Sequence, residues 1–94
     1  MKALDRFQTF IALAECRSYT ETARRLYCSQ PTITNHIQQL EELYQVQLFE
    51  RSGRSVRLTV QGKVLLEYAK QVMDLLDEAA LQLQSLGKNG DKLA

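Results

Sequence analysis

Between residues 30 and 38 the chain sets out Gln30, Pro31, Thr32, Thr34, Asn35 and Gln38. Carboxamides of this kind can pair with adenine N6 and N7, and threonine methyls or a proline ring suit thymine methyl groups. Farther on, Arg51, Arg54 and Ser55 surround Gly53, with Arg57 beyond them. A guanidinium on a protruding loop can enter a DNA minor groove or hold a phosphate. Upstream, Ser18 and Thr20 offer hydroxyls that could donate to a phosphate at a helix N-terminus, where free N–H groups already attract anions. The same residue types would also serve as a merely solvated polar face and a charged loop, so the elements that carry them must decide.

Other chemistries are poorly supported. There is no nucleophile elbow, phosphate loop or Ser/His/Asp set, so no enzyme activity is expected. Cys16, Cys28 and the single His36 have no familiar zinc spacing, and no metal or cofactor is expected. Cys28 reads as a small core residue, His36 as a flanking one, and the Glu41-Glu42 pair as helix surface. The net charge is only +1, but its distribution is uneven. Residues 1–63 hold nine Lys/Arg against six Asp/Glu, a net +3; residues 64–94 hold three against five, a net −2. A basic front half suits phosphate and an acidic rear half suits protein or solvent. With no run of 18 apolar residues and no charged-then-apolar leader, no membrane association is expected and a cytoplasmic location is.

The elements follow from spacing. Leu4, Phe7, Phe10, Ile11 and Ala14 predict a helix over residues 3–16. Thr20 reads as the N-cap of a second helix reaching Tyr27, with Tyr19 and Ala23 inward. Ser29 and Pro31 then open a third helix, whose Ile33, Ile37, Leu40 and Tyr44 form one face to its end near Tyr44. Two short helices joined by so brief a turn make a helix-turn-helix, with Leu26, Cys28, Ile33 and Ile37 filling the wedge. At 100° per residue, Pro31, Asn35 and Gln38 fall opposite Ile33 and Ile37, with Thr34 flanking. Base-reading residues belong on the N-terminal part of such a helix. Val46, Leu48 and Phe49, then Val56 and Leu58, read as two strands around a Ser-Gly turn.

Thr59 caps a long last helix, 60–86, which the Gly87-Lys88-Asn89-Gly90 run should end. Along it Leu65, Ala69, Val72, Leu76, Ala79, Leu83 and Leu86 alternate spacings of four and three, a heptad seam fit for dimerisation. Leu66, Met73 and Ala80 widen the apolar face. The expected fold is mainly α: a winged helix-turn-helix of three helices plus a β-hairpin wing (1–59), then a dimerisation helix (60–87). A disordered tail (88–94) should follow, its Lys92-Leu93-Ala94 end read as a cloning remnant.

Several stretches together are specific. They include Phe10-Ile11-Ala12-Leu13-Ala14-Glu15, Ser18-Tyr19-Thr20, Ala23, Ser29-Gln30-Pro31, Val46-Gln47-Leu48-Phe49-Glu50-Arg51, and Leu58-Thr59 with Gly62. In this order and spacing the chain resembles the N-terminal DNA-binding domain of LysR-type transcriptional regulators. The resemblance implies sequence-specific binding of double-stranded DNA at pseudo-palindromic promoter sites. It also implies a homodimer through the linker helix and tetramers in the full-length protein. The seam itself leaves parallel and antiparallel pairing open; the resemblance implies antiparallel. A C-terminal effector domain of two α/β lobes, which binds a co-inducer, would normally follow, so the chain reads as an isolated DNA-binding fragment. By resemblance, Gln30, Pro31, Thr34 and Asn35 take base- and phosphate-contacting positions, and Arg54 takes the wing tip. Three departures stand out. Asn35 replaces a usual arginine, Arg17 and Gln45 replace glycines, and Thr22 replaces an alanine. Either Gln45 closes its helix in an uncomfortable left-handed conformation, or the turn there differs from the family's. The competing reading is a winged-helix protein-interaction module that uses the heptad helix and has no salt-dependent DNA affinity. A complete small repressor of another winged-helix family ranks lower, for want of ligand- or metal-pocket residues.

Overall fold

The computed structural model describes residues 2–89 of the chain. Its elements are α1 (Lys2–Cys16), α2 (Tyr19–Arg25), α3 (Gln30–Tyr44), β1 (Phe49–Ser52), β2 (Ser55–Leu58) and α4 (Val60–Asn89). This is a winged helix-turn-helix followed by one long helix. The core gathers Phe10 and Leu13 of α1, Ile37 and Leu40 of α3, Leu48, Phe49 and Val56 of the hairpin region, and Ala69 of α4. Phe10 and Phe49 meet edge-on with ring centroids 5.4 Å apart, which fixes the hairpin against α1.

The cap of α2 is Ser18, not Thr20. The Ser18 hydroxyl accepts from the Glu21 N–H at 3.2 Å, and Thr20 lies inside the first turn. Thr22 is fully buried there, and its hydroxyl donates to the Ser18 carbonyl at 2.7 Å, which satisfies it without a partner outside the helix. The turn after α2 also departs from expectation. Tyr27 takes φ 57° and is 96% exposed. That left-handed step swings Cys28 outward, so Cys28 is exposed and its thiol lies 3.3 Å from the Leu26 carbonyl; Ile33 is fully buried while Leu26 is only half-buried.

Ser29 caps α3 by accepting from the Thr32 N–H. Ile33, Ile37 and Leu40 are buried as their spacing requires, whereas Tyr44 at the end is exposed. Gln45 does close the helix in the left-handed region, at φ 57° and ψ 42°. Its side chain repairs part of the cost by donating Nε2 to the Glu42 carbonyl at 2.8 Å. Gln45→Gly should raise stability by about 0.5 kcal/mol, the relief of left-handed strain less the lost side-chain bond and glycine's extra unfolded freedom. A urea midpoint shifted upward at constant slope is the expected readout. Glu41 is more than helix surface: its carboxylate accepts from the Leu48 N–H at 2.8 Å and pins the chain entering the wing.

The hairpin is shorter than its apolar pattern suggests, because Val46 and Leu48 lie before the first strand. The strands pair Phe49 with Leu58, Glu50 with Arg57, Arg51 with Val56 and Ser52 with Ser55. The two-residue turn places Gly53 at φ 64°, where a side chain would be strained. The wing is tied to the helices by Val56 N–H donating to the Arg17 carbonyl, at 3.1 Å.

Thr59 caps α4, accepting from the Gly62 N–H at 3.0 Å. The helix passes through Gly87, which has no positive φ, and continues to Asn89 rather than stopping there. Of the expected tail, residues 88 and 89 are helical; 90–94 lie outside the described residues. No helix among the described residues is long and apolar enough to cross a membrane.

Candidate nucleic-acid interface

The face of α3 opposite Ile33 and Ile37 is where the sequence placed its readers, and five of the six come together. Gln30, Pro31, Thr34, Asn35 and Gln38 line one shallow cavity of about 490 Å³. All but Thr34 are exposed. Among the described residues no hydrogen bond engages the Asn35 or Gln38 side chain, so both amides keep donors and acceptors for a ligand. Thr32 stands apart from the cavity. Its hydroxyl is bonded to the Ser29 hydroxyl at 2.9 Å, and it is committed to the start of the helix.

The first turn of α2 approaches the same end of α3. Thr20 Oγ1 donates to Gln30 Oε1 across 3.5 Å. Ser18, half-buried, uses its hydroxyl as the α2 cap, which leaves Thr20 as the exposed hydroxyl of the pair. Across α1 and α3, Thr9 and His36 share a hydrogen bond at 2.8 Å, and one turn away Arg6 Nε donates to Gln39 Oε1. These polar stitches hold the back of α3 in place, and they give His36 the flanking role expected of it.

The wing presents charge selectively. Arg57 is bound to Glu50 at 3.0 Å, Arg24 to Glu21 at 2.6 Å and Arg25 to Glu15 at 2.8 Å. Among the described residues Arg51 and Arg54 have no acidic partner. Arg51 stacks 5.8 Å from the centre of the Tyr19 ring. Burial and then the charge of Glu41 hold the Tyr19 phenol above its usual range, with Arg51 opposing, so the ring stays neutral beneath the guanidinium. Ser55 Oγ donates to the Ser52 carbonyl at 3.0 Å and closes the turn that carries Arg54. Arg54 is therefore the exposed cation of a braced tip, while Ser55 supports it.

Sequence reading gave no role to Arg17 or Lys63. Folding brings both, with Arg57 and Glu50, to a cavity of about 660 Å³ between the wing and the start of α4. Nothing in the linear order signals this, because the three cations meet only when the hairpin closes on α1. The expected dimerisation seam is also divided. Leu65 is half-buried and Ala69 only 3% exposed, both against this chain's own core. The uncovered part begins at Val72 and continues with Leu76, Ala79, Leu83 and Leu86.

Residues 4–63 match the family model described as bacterial regulatory helix-turn-helix protein, lysR family. The chain is 41% identical over 83 residues to the uncharacterized HTH-type transcriptional regulator MJ0300 of Methanocaldococcus jannaschii; this covers 88% of the chain and 28% of that protein. It is 35% identical over 94 residues to the HTH-type transcriptional activator CmpR of Synechocystis sp., covering 97% of the chain and 31% of that protein. The chain thus spans about a third or less of the length of these two relatives. Among solved structures it is similar to the CbnR_DBD-DNA complex, at TM-score 0.82 and 35% identity over 87% of this chain and 94% of that one. It is also similar to the BenM_DBD/catB site 1 DNA complex, at TM-score 0.87 and 30% identity over 92% of each chain.

Proposed function

We propose that this chain, which belongs to the lysR family of bacterial regulatory helix-turn-helix proteins, binds double-stranded DNA sequence-specifically as a homodimer. In this reading α3 enters the major groove, Gln30, Pro31, Thr34, Asn35 and Gln38 meet base edges, and Arg54 reaches an adjacent groove or backbone. The observation that carries it is the shared cavity of amides, hydroxyl and proline on the free face of α3. Support also comes from the similar CbnR and BenM domains, whose structures are of DNA complexes. The backbone N–H of Thr20, at the start of α2, is placed to meet a phosphate, and Arg51 and Ser55 brace the wing. The exposed half of α4 pairs two copies, so that two recognition helices address the halves of a pseudo-palindromic site. In a full-length regulator an effector domain would follow, and tetramers would form from such dimers. Transcriptional regulation implies a cytoplasmic or nucleoid location.

The test is an anisotropy titration against inverted-repeat and random duplexes, each at several salt concentrations. Asn35→Ala should cost about 1–3 kcal/mol on the preferred site and almost nothing on random DNA. Arg54→Ala should weaken both alike and reduce the salt slope by about one phosphate contact. Equal affinity of the wild-type protein for both duplexes would sink the claim of specificity.

A further inference from the structure

We propose that Thr20 is a positioning residue for base recognition, holding the Gln30 carboxamide so that its Nε2 end faces the DNA. The inference rests on the DNA-reading role given to Gln30 above and refines it. Thr20 is the second residue of α2 and Gln30 the first of α3, and the tight turn between the helices sets them side by side. The Thr20 hydroxyl donates to Gln30 Oε1 across 3.5 Å, and among the described residues this is the one hydrogen bond of the Gln30 side chain. The neighbouring hydroxyls of Ser29 and Thr32 bond each other at 2.9 Å, and among the described residues neither is bonded to Gln30.

The two ends of a carboxamide are not equivalent: Oε1 only accepts, and Nε2 only donates. With Oε1 turned toward the Thr20 hydroxyl, Gln30 presents its Nε2 donors outward. Donors match guanine N7 and O6, adenine N7 or thymine O4. The paired contact to adenine needs the carbonyl as well, so the held form of Gln30 disfavours it. Asn35, with no such partner among the described residues, keeps both ends for adenine. Thr20 thus biases the base preference of a residue on another helix, without itself touching a base.

The test combines selection of sites from random duplexes with titrations in which each half-site position carries all four base pairs in turn. The position read by Gln30 is the one whose discrimination disappears in Gln30→Ala. There the wild-type protein should favour an acceptor edge such as guanine. Thr20→Val keeps the β-branched shape and removes the hydroxyl. It should reduce discrimination at that one position by about fivefold, the worth of one net hydrogen bond, and shift it toward adenine. Thr20→Ser should restore the wild-type preference. In a Gln30→Ala background, Thr20→Val should leave the base preference unchanged, a cycle that removes any general effect of the substitution on folding. A uniform loss across all positions with a shallower salt dependence would overturn the proposal and leave Thr20 a phosphate contact alone. A wild-type protein that selects no motif would instead overturn the DNA reading beneath it.

Discussion

Leu76→Asp should leave the winged domain folded, turn the protein into monomers, and lower affinity for an inverted repeat by roughly a hundredfold or more. The division of α4 is the reason. Its first turns are anchored to the domain through Leu65, Leu66 and Ala69. Beyond them the apolar seam has no cover within the chain: Val72 is 45% exposed, Leu76 41%, Leu83 68% and Leu86 44%. A helix of 30 residues is about 45 Å long, so this uncovered half projects well past the domain. Water-facing leucines at coiled-coil spacing are stabilised by a second helix, each buried side chain contributing about 1.5–3 kcal/mol. In a two-fold pair one substitution acts twice, and it adds two carboxylates that must be desolvated. Sedimentation would read the monomer, and far-UV circular dichroism the retained helix. Binding to a single half-site should be nearly unchanged, because α3 and the wing lie outside the seam. A dimer that survived Leu76→Asp would overturn the assignment of the exposed half of α4 to pairing.

Much of this arrangement was legible in the sequence, and the failures have physical causes. Ile33, Ile37 and Leu40 were readable as one buried face because a helix repeats every 3.6 residues, and the face opposite them follows by geometry. The left-handed end at Gln45 was legible only through the resemblance, which implies a glycine at that position; nothing in glutamine itself signals it. The cap of α2 was misplaced although a signal existed: Glu21 stands three residues after Ser18, the spacing of a capping box, and Ser18 does cap that N–H. Cys28 could not be placed, because its exposure depends on the φ of 57° at Tyr27, and tyrosine gives no hint of a left-handed step. The heptad seam was visible, but periodicity cannot say which turns face their own domain and which face another chain. The contact between Thr20 and Gln30 was hidden for a related reason: it joins two helices, and its distance depends on how the turn between them closes.

Gly62→Ala should destabilise the protein by about 3 kcal/mol and lower its melting temperature by about 12–24 °C, the largest effect expected of so small a change. A Cβ at Gly62 would fall on the Leu48 carbonyl oxygen, inside any real contact distance, and 2.8 Å from Leu58 Cδ2. The leucine tip could turn aside, but the carbonyl is backbone and is already engaged, accepting from the Thr59 N–H at 3.0 Å. Relieving the clash therefore means parting the start of α4 from the chain that enters the wing. That also strains the bond from Thr59 Oγ1 to the Gln47 carbonyl, at 2.6 Å. Gly87→Ala in the same helix provides the contrast. Nothing lies within 4 Å of a Cβ there, so alanine should stabilise the last turns by about 0.5–1 kcal/mol through propensity alone. Thermal unfolding would measure the first substitution, and slower amide exchange near the end of α4 the second. Opposite signs from one chemical change on one helix would show that the close approach of α4 to Leu48 limits position 62, rather than any general need for glycine. An unaltered melting temperature for Gly62→Ala would mean that the start of α4 and the chain entering the wing do not meet this closely.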